Sequence, residues 1–150
     1  MTVGAICNRN VVVAPRGEAI VDAAKRMRMR HVGDIVVVEQ RGTRRIPVGI
    51  LTDRDIVLSV VASDPNHVTS LLVGDAMSSD LATAPEDATL MDAIALMQDR
   101  GVRRLPIVDQ AGELAGILTL DDLVRFFADA LGGLVKVMAR EERMEERYRV

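Results

Sequence analysis

Aromatic side chains are nearly missing from this chain, which has no tryptophan, one tyrosine (Tyr148) and two phenylalanines (Phe126 and Phe127) in 150 residues. Single-strand grooves hold bases by stacking them on aromatic faces, so the usual platform for nucleic acid is absent. A strong excess of either charge is missing too. Nineteen Lys and Arg against 22 Asp and Glu leave a net charge of -3 and a pI near 5.4, with no basic footprint for a phosphate backbone. The lone Cys7 excludes an intramolecular disulfide, and its neighbours Asn8, Arg9 and Asn10 make no metal knuckle. A reduced, cytoplasmic setting is expected. No apolar run approaches the roughly 18 residues of a membrane span. Met1 to Ile6 is too short and too weakly apolar for a signal peptide, so a soluble protein is expected.

What the chain does have is a sentence written twice. Gly49-Ile50-Leu51-Thr52-Asp53-Arg54-Asp55-Ile56 returns as Gly116-Ile117-Leu118-Thr119-Leu120-Asp121-Asp122-Leu123, preserving Gly-x-x-Thr-x-x-Asp. Upstream, Pro15, Ile20, Asp22, Ala23 and Met27 match Pro85, Leu90, Asp92, Ala93 and Met97 at an offset of 70, whereas Gly49 to Gly116 is an offset of 67. The first copy therefore carries three extra residues, most simply in the Arg41-Gly42-Thr43-Arg44-Arg45 turn. An internal duplication changes the unit of analysis. A half of roughly 60 residues buries only about 60% of its unfolded surface and is marginal alone. With 49% hydrophobic residues available, the two halves are expected to share one core.

The hydrophobic period switches at matching places in both copies. Ile20, Ala23, Ala24 and Met27, like Leu90, Ala93, Ile94 and Met97, follow helical spacing and predict amphipathic helices near 18–30 and 88–100. Val- and Ile-rich runs then predict strand pairs at Ile35–Val38 with Ile46–Leu51 and at Leu105–Val108 with Leu114–Leu118. Short leading strands are expected at Val11–Ala14 and Leu81–Ala84. Helices are expected near 53–62 and 120–131. Each copy reads β-α-β-β-α, and Ser63 to Asp80 reads as an ordered connector.

Thr52 and Asp55, with their counterparts Thr119 and Asp122, admit two readings. In one, Thr caps the orphan amides of a helix start and Asp occupies the first turn. In the other, the same amides, a nearby Gly and the Thr hydroxyl hold a phosphate. The carboxylate then accepts from the two vicinal hydroxyls of a ribose, as the acidic residue of a dinucleotide site does.

With this duplicated motif and Val102-Arg103-Arg104-Leu105-Pro106-Ile107-Val108-Asp109, the chain resembles a tandem CBS (cystathionine-β-synthase-like) domain pair, a Bateman module, over about residues 11–128. The resemblance implies an α+β fold of two β-α-β-β-α repeats packed by pseudo-two-fold symmetry, with a C-terminal helix. Residues 1–10 would be an N-terminal segment, 11–62 repeat 1, 63–80 the connector, 81–128 repeat 2 and 129–150 a helical tail. It also implies a regulatory module, frequently a homodimer, that senses AMP, ADP, ATP, NAD or S-adenosylmethionine in clefts between the repeats. Carried over by position, Asp55 and Asp122 would take ribose, and Thr52, Thr119, Arg103 and Arg104 phosphate. Val13, Val32, Thr83, Val102 and Ile107 would hold the base. No catalytic cofactor is implied. The ligand would signal to a separate effector protein.

Strand alternation points Arg103 and Arg104 to opposite faces, so at most one is expected in a given cleft. The first copy has Gly33 and Asp34 at these positions, and a carboxylate disfavours phosphate. Unequal sites follow, with Asp122→Ala expected to lose more phosphate-dependent binding than Asp55→Ala. His31 and His67 have no partner ligands nearby and are read as surface or helix-end residues, not metal ligands. Arg44 and Arg45 are read as exposed.

In the tail, Leu131, Leu134, Val135 and Met138 mark a helical stripe interrupted by Gly132-Gly133 and followed by the charges from Arg140 to Arg149. It lies over its own repeat or across a dimer interface, for which eight Met residues offer adaptable packing. Two other function classes compete. A CBS-fold scaffold would use Thr and Asp only as caps and bind no nucleotide. An enzyme is disfavoured: Asp53-Arg54-Asp55 resembles the paired aspartates of a haloacid dehalogenase-type phosphatase, but Leu120 replaces Asp53 in the second copy, Val57 stands where that motif needs Thr, and no other nucleophile set appears.

Overall fold

Two parallel leading strands, two hairpins and the helices between them give the order β1 (Val13–Ala14), α1 (Ile20–Arg30), β2 (Asp34–Arg41) and β3 (Arg44–Thr52), repeated as β4 (Ala84–Pro85), α4 (Leu90–Arg100), β5 (Arg104–Val108) and β6 (Leu114–Thr119). The computed structural model describes residues 1–148. It divides into one unit from Met1 to Leu118 and another beginning at Thr119. Each repeat forms its own three-stranded sheet, ordered β1-β2-β3 and β4-β5-β6. The leading strands are shorter than the sequence predicts. Only Val13 and Ala14 pair with β2, at Val36 and Val37, and only Ala84 and Pro85 pair with β5, at Ile107 and Val108. Pro85 sits inside its strand, where an edge position tolerates a missing N–H.

The three extra residues of the first copy lengthen its hairpin. β2 and β3 run eight and nine residues, with a bulge between Val37 and Val38, against five and six residues for β5 and β6. Gly42, at φ 63°, turns the long hairpin. A glycine entering a two-residue loop at positive φ matches the strand twist.

The residues ahead of each repeat do not stay with it. Val73 and Met77 join Ala14, Ala23, Met27, Ile35, Val37 and Leu51 in the core of repeat 1. The Val73 amide donates to Glu18 O at 2.8 Å and the Gly74 amide to Arg16 O at 2.9 Å. Offset by 70, the Val3 amide donates to Ala88 O at 2.8 Å and the Gly4 amide to Glu86 O at 2.9 Å in repeat 2. The bridges Ile50↔Ser78 and Asn8↔Ile117 form a second such pair. Segments 2–8 and 72–78 are thus equivalent arms, each inserted into the other repeat, and this reciprocity is the pseudo-two-fold symmetry. Val36 of β2 also packs with Leu114 and Ile117 of β6. The shared core anticipated from the size of a half is built from these exchanges.

A short helix, α2 (Asp53–Asp55), follows β3 and widens into a π-helical segment, Ile56–Val61, where the sequence predicts one regular helix. Another, α3 (Val73–Ala76), lies in the second arm. In the second unit a single helix, α5, runs from Leu120 to Tyr148. The break expected at Gly132-Gly133 does not occur. Each Gly costs a helix about 1 kcal/mol, which strong formers on both sides absorb. Arg149, the last of the expected tail charges, lies outside the described residues.

Candidate functional site

At the end of β3 the chain turns into α2 through a closed set of hydrogen bonds. The Thr52 amide and hydroxyl both donate to Asp55 Oδ2, at 2.8 and 2.7 Å, while the Asp55 amide donates back to Thr52 Oγ1 at 3.1 Å. The same box closes β6 onto α5: Thr119 donates to Asp122 Oδ2 at 2.9 Å (amide) and 2.6 Å (hydroxyl), and the Asp122 amide returns a bond of 3.2 Å. A third box, outside the duplicated motif, starts α4. There Thr89 donates to Asp92 Oδ2 at 3.1 and 2.6 Å and accepts from the Asp92 amide at 3.2 Å. Those bonds hold the Asp92 carboxyl below its ordinary value, the Thr89 hydroxyl first and its amide second. The box by itself therefore marks a helix start and nothing more.

What sets Thr52 and Asp55 apart from Thr89 and Asp92 is the space in front of them. A cavity of about 240 Å³ is lined by Ile50, Thr52 and Asp55 of repeat 1, by Ser78 of the inserted arm, and by Val102, Arg103 and Arg104 ahead of β5. Both arginines line it, although alternation allows only one. Residues 101–103 form the turn leaving α4, so the pleat that would separate the two side chains begins only at Arg104. Asp55 spends Oδ2 on the cap and keeps Oδ1 without a hydrogen-bond partner among the described residues. The Thr52 hydroxyl proton is already given to Asp55, which leaves that oxygen only acceptor capacity.

Arg104 is held from the other repeat. Its Nε donates to Asp34 Oδ2 at 2.5 Å, with the side chains 34% and 18% exposed. Asp34 occupies in repeat 1 the position that Arg104 occupies in repeat 2, so the ion pair joins equivalent residues across the pseudo-two-fold. The carboxylate read in the sequence as an obstacle to phosphate is engaged by a guanidinium.

Of the five residues expected at a base, Val102 alone lines this cavity; Val32 faces a different groove, and Ile107 is fully buried in the sheet. Val13 and Thr83 are half-buried beside the strand starts. Ile50 and Ser78 are lining residues that the sequence reading missed. Ile50 was visible as the residue after the motif Gly, whereas Ser78 required extending the echo back to its counterpart Asn8.

The groove that holds Val32, about 490 Å³, is lined also by Arg28, His31, Asp53 and Ile56. Asp53 thus opens on one cavity and Asp55 on another, so the two aspartates do not face a common space. His31 caps α1 in the left-handed region at φ 53°, where α4 has Gly101 at φ 62°. His31 and Gly101, 70 residues apart, are thus equivalent helix C-caps. Among the described residues no group of three or more His, Cys, Asp or Glu is placed to hold one, and no helix is long and apolar enough to cross a membrane.

A pair of intertwined α+β repeats, with a cavity where the strand-helix junction of one meets the turn of the other, defines a tandem-repeat module. The CBS domain family model matches residues 3–62 and 73–129, and the chain belongs to that family. Both matches take in most of the exchanged arms. The chain is 40% identical over 113 residues to the CBS domain-containing protein YhcV of Bacillus subtilis, covering 75% of this chain and 76% of that one. It is 37% identical over 125 residues to an uncharacterised protein of Methanopyrus kandleri, covering 83% of this chain and 62% of that longer one. The CBS domain pair of protein MJ0100, solved with 5'-methylthioadenosine and S-adenosyl-L-methionine, shares the fold with a TM-score of 0.74 at 23% identity, covering 87% of this chain and 98% of that one.

Proposed function

We propose that this protein is a regulatory module that binds an adenosine-containing ligand in the cavity between its repeats and transmits the bound state to a separate effector protein in the cytoplasm. The observation that carries the reading is the meeting of Asp55 with Arg103 and Arg104 in one cavity. A carboxylate with an unused oxygen suits ribose hydroxyls, and guanidinium groups suit phosphate or carboxylate. Val102 and Ile50 give the base an apolar wall. Thr52 serves by fixing Asp55, and Thr119 does the same for Asp122. The adenosyl ligands of the MJ0100 domain pair support the ligand class. Separation of Asp53 from Asp55 speaks against a paired-aspartate phosphatase, and no catalytic role is proposed.

The third capping box favours a second reading, an interaction scaffold in which Thr and Asp are caps only. Thermal unfolding with AMP, ADP, ATP, NAD and S-adenosylmethionine separates the two. A ligand at 100 times its dissociation constant stabilises by about 2.7 kcal/mol. The expected result is a rise for the parent that Asp55→Ala and Arg103→Ala each abolish. If none of the five raises the midpoint, the scaffold reading stands.

A further inference from the structure

The hairpin that only the first copy lengthens ends in arginines. Arg41 and Arg44 are directly opposite partners at the last rung of β2 and β3, with Gly42 and Thr43 turning between them. Opposite partners share one face of a sheet, and Glu39, two residues before Arg41, shares it with them. Arg16, just after β1, reaches the same carboxylate. Its Nε donates to Glu39 Oε1 at 3.0 Å, and Arg41 Nη2 donates to Glu39 Oε2 at 3.3 Å. One carboxylate thus serves two guanidiniums, while the third, on Arg44, has no hydrogen-bond or ionic partner among the described residues. The face is open to solvent, with the Arg41 side chain 66% exposed and that of Arg16 46%. Arg45 belongs to the other face, opposite Gln40, and its amide donates to Glu113 Oε1 at 3.4 Å.

Like charges directly opposite each other destabilise a sheet, so Arg41 facing Arg44 is a local cost that an anion removes. The fold does not require it. Seventy residues on, Arg16 and Glu39 become Glu86 and Asp109, and the shorter hairpin of repeat 2 has no arginine at its tip. The backbone beside the arginines is open as well. β1 pairs with β2 only at Val36 and Val37, so from Val38 to Arg41 the ladder has β3 on one side and no strand of the described residues on the other. An extended segment adds to such an edge through its main chain and is selected by its alternate side chains. Carboxylates on one face of that segment suit the planar guanidinium forks. Glu39, in the middle of the patch, repels a continuous phosphate backbone, and Gly42 and Thr43 offer no large apolar side chain to enter a lipid surface. The equivalent acidic hairpin of a second copy has its carboxylates occupied: Asp109 Oδ1 accepts from the Ala111 and Glu113 amides, and Glu86 pairs with Arg9.

We infer that the Arg16, Arg41 and Arg44 face of the first hairpin is a docking surface for an acidic, extended segment of another protein. It uses no residue of the cavity, and its test contains no nucleotide. Fluorescence anisotropy of a labelled decapeptide alternating Glu and Thr, titrated with the full chain at low salt, reads the binding. The parent should bind it, more weakly as salt rises, and the same peptide with Gln for Glu should not bind. Arg44→Gln should weaken binding about threefold or more, the upper range of an exposed ion pair. Arg45→Gln removes the same charge from the adjacent residue on the opposite face, and should cost less than about twofold. Because losing Arg44 relieves a repulsion, the thermal midpoint of Arg44→Gln should match or exceed the parent's. A parent that does not bind the Glu peptide overturns the inference, as do equal losses in the two variants or a lowered midpoint in Arg44→Gln. Tighter binding of a DNA duplex or of phosphatidylserine vesicles than of the peptide overturns it too.

Discussion

Gly49 and Gly116 are where the two arms press closest. A Cβ on Gly49 would lie 2.7 Å from Met77 Sδ and 2.8 Å from Ser78 O, and one on Gly116 2.6 Å from Cys7 Sγ and 3.1 Å from Asn8 O. These contacts repeat at the offsets of the duplication, so the motif glycine lets the inserted arm cross close to the strand. Gly49→Ala should therefore destabilise the fold by about 1 to 3 kcal/mol, the range for overpacking a filled site. Urea unfolding measures it, with Gly17→Ala, which meets nothing within 4 Å, as the near-neutral control. An unshifted midpoint for Gly49→Ala would contradict the packing role. The glycine was legible in the sequence as a constant of the repeat. Its reason was not, because the atoms it makes room for lie 28 residues downstream of Gly49 and 109 upstream of Gly116.

Elements were more readable than their ends. Both amphipathic helices and both hairpins stand where the hydrophobic period places them, since burial of one face governs period and location alike. Ends follow from local chemistry, and α4 shows it: Thr89 and Asp92 close a box where α1 has Ala19, whose side chain forms no cap. The Asp92 carboxyl is held below 3.8 by bonds from Thr89. A depressed folded pKa adds stability that is present above the unfolded value and is lost as pH falls through the folded one. The stability gap between parent and Asp92→Asn should hold steady above pH 3.8 and close below it. Thermal midpoints across an acid series check this; a gap that persists in acid would show that the box does not act through the carboxylate. The continuous α5 and the π-helical turn after α2 were not legible. A pair of glycines weakens a helix without ending it, and no residue pattern distinguishes a π-turn from an α-turn.

At the scale of the molecule, the first sequence expectation to shift is which motif meets the arginines. Arg103 and Arg104 belong to the second copy but line the cavity of Thr52 and Asp55, because the turn leaving α4 meets the strand-helix junction of the first repeat. We therefore expect Asp55→Ala, rather than Asp122→Ala, to lose more phosphate-dependent binding. Asp34 is paired with Arg104, and under the proposed function it would compete with the ligand's phosphate for that guanidinium. Asp34→Asn should improve the preference for AMP over adenosine by about two- to fivefold, the worth of a partly exposed ion pair at roughly 0.5 to 1 kcal/mol. Titration calorimetry with both ligands measures the ratio. An unaltered or reversed ratio would mean that Asp34 holds Arg104 in its binding pose instead of away from it.

The sequence alone determined that this protein is two copies of one β-α-β-β-α unit, where its helices and hairpins lie, and that Asp55 and Asp122 stand at equivalent strand-helix junctions. Period and repetition are local, and a side chain's preference for a face is written in its spacing. Only the tertiary structure decided which copy's arginines meet which copy's aspartate, why the motif begins with glycine, and that residues 2–8 and 72–78 belong to each other's repeats. Those are contacts between residues far apart in the chain, set by how two marginal halves exchange apolar surface to complete one core.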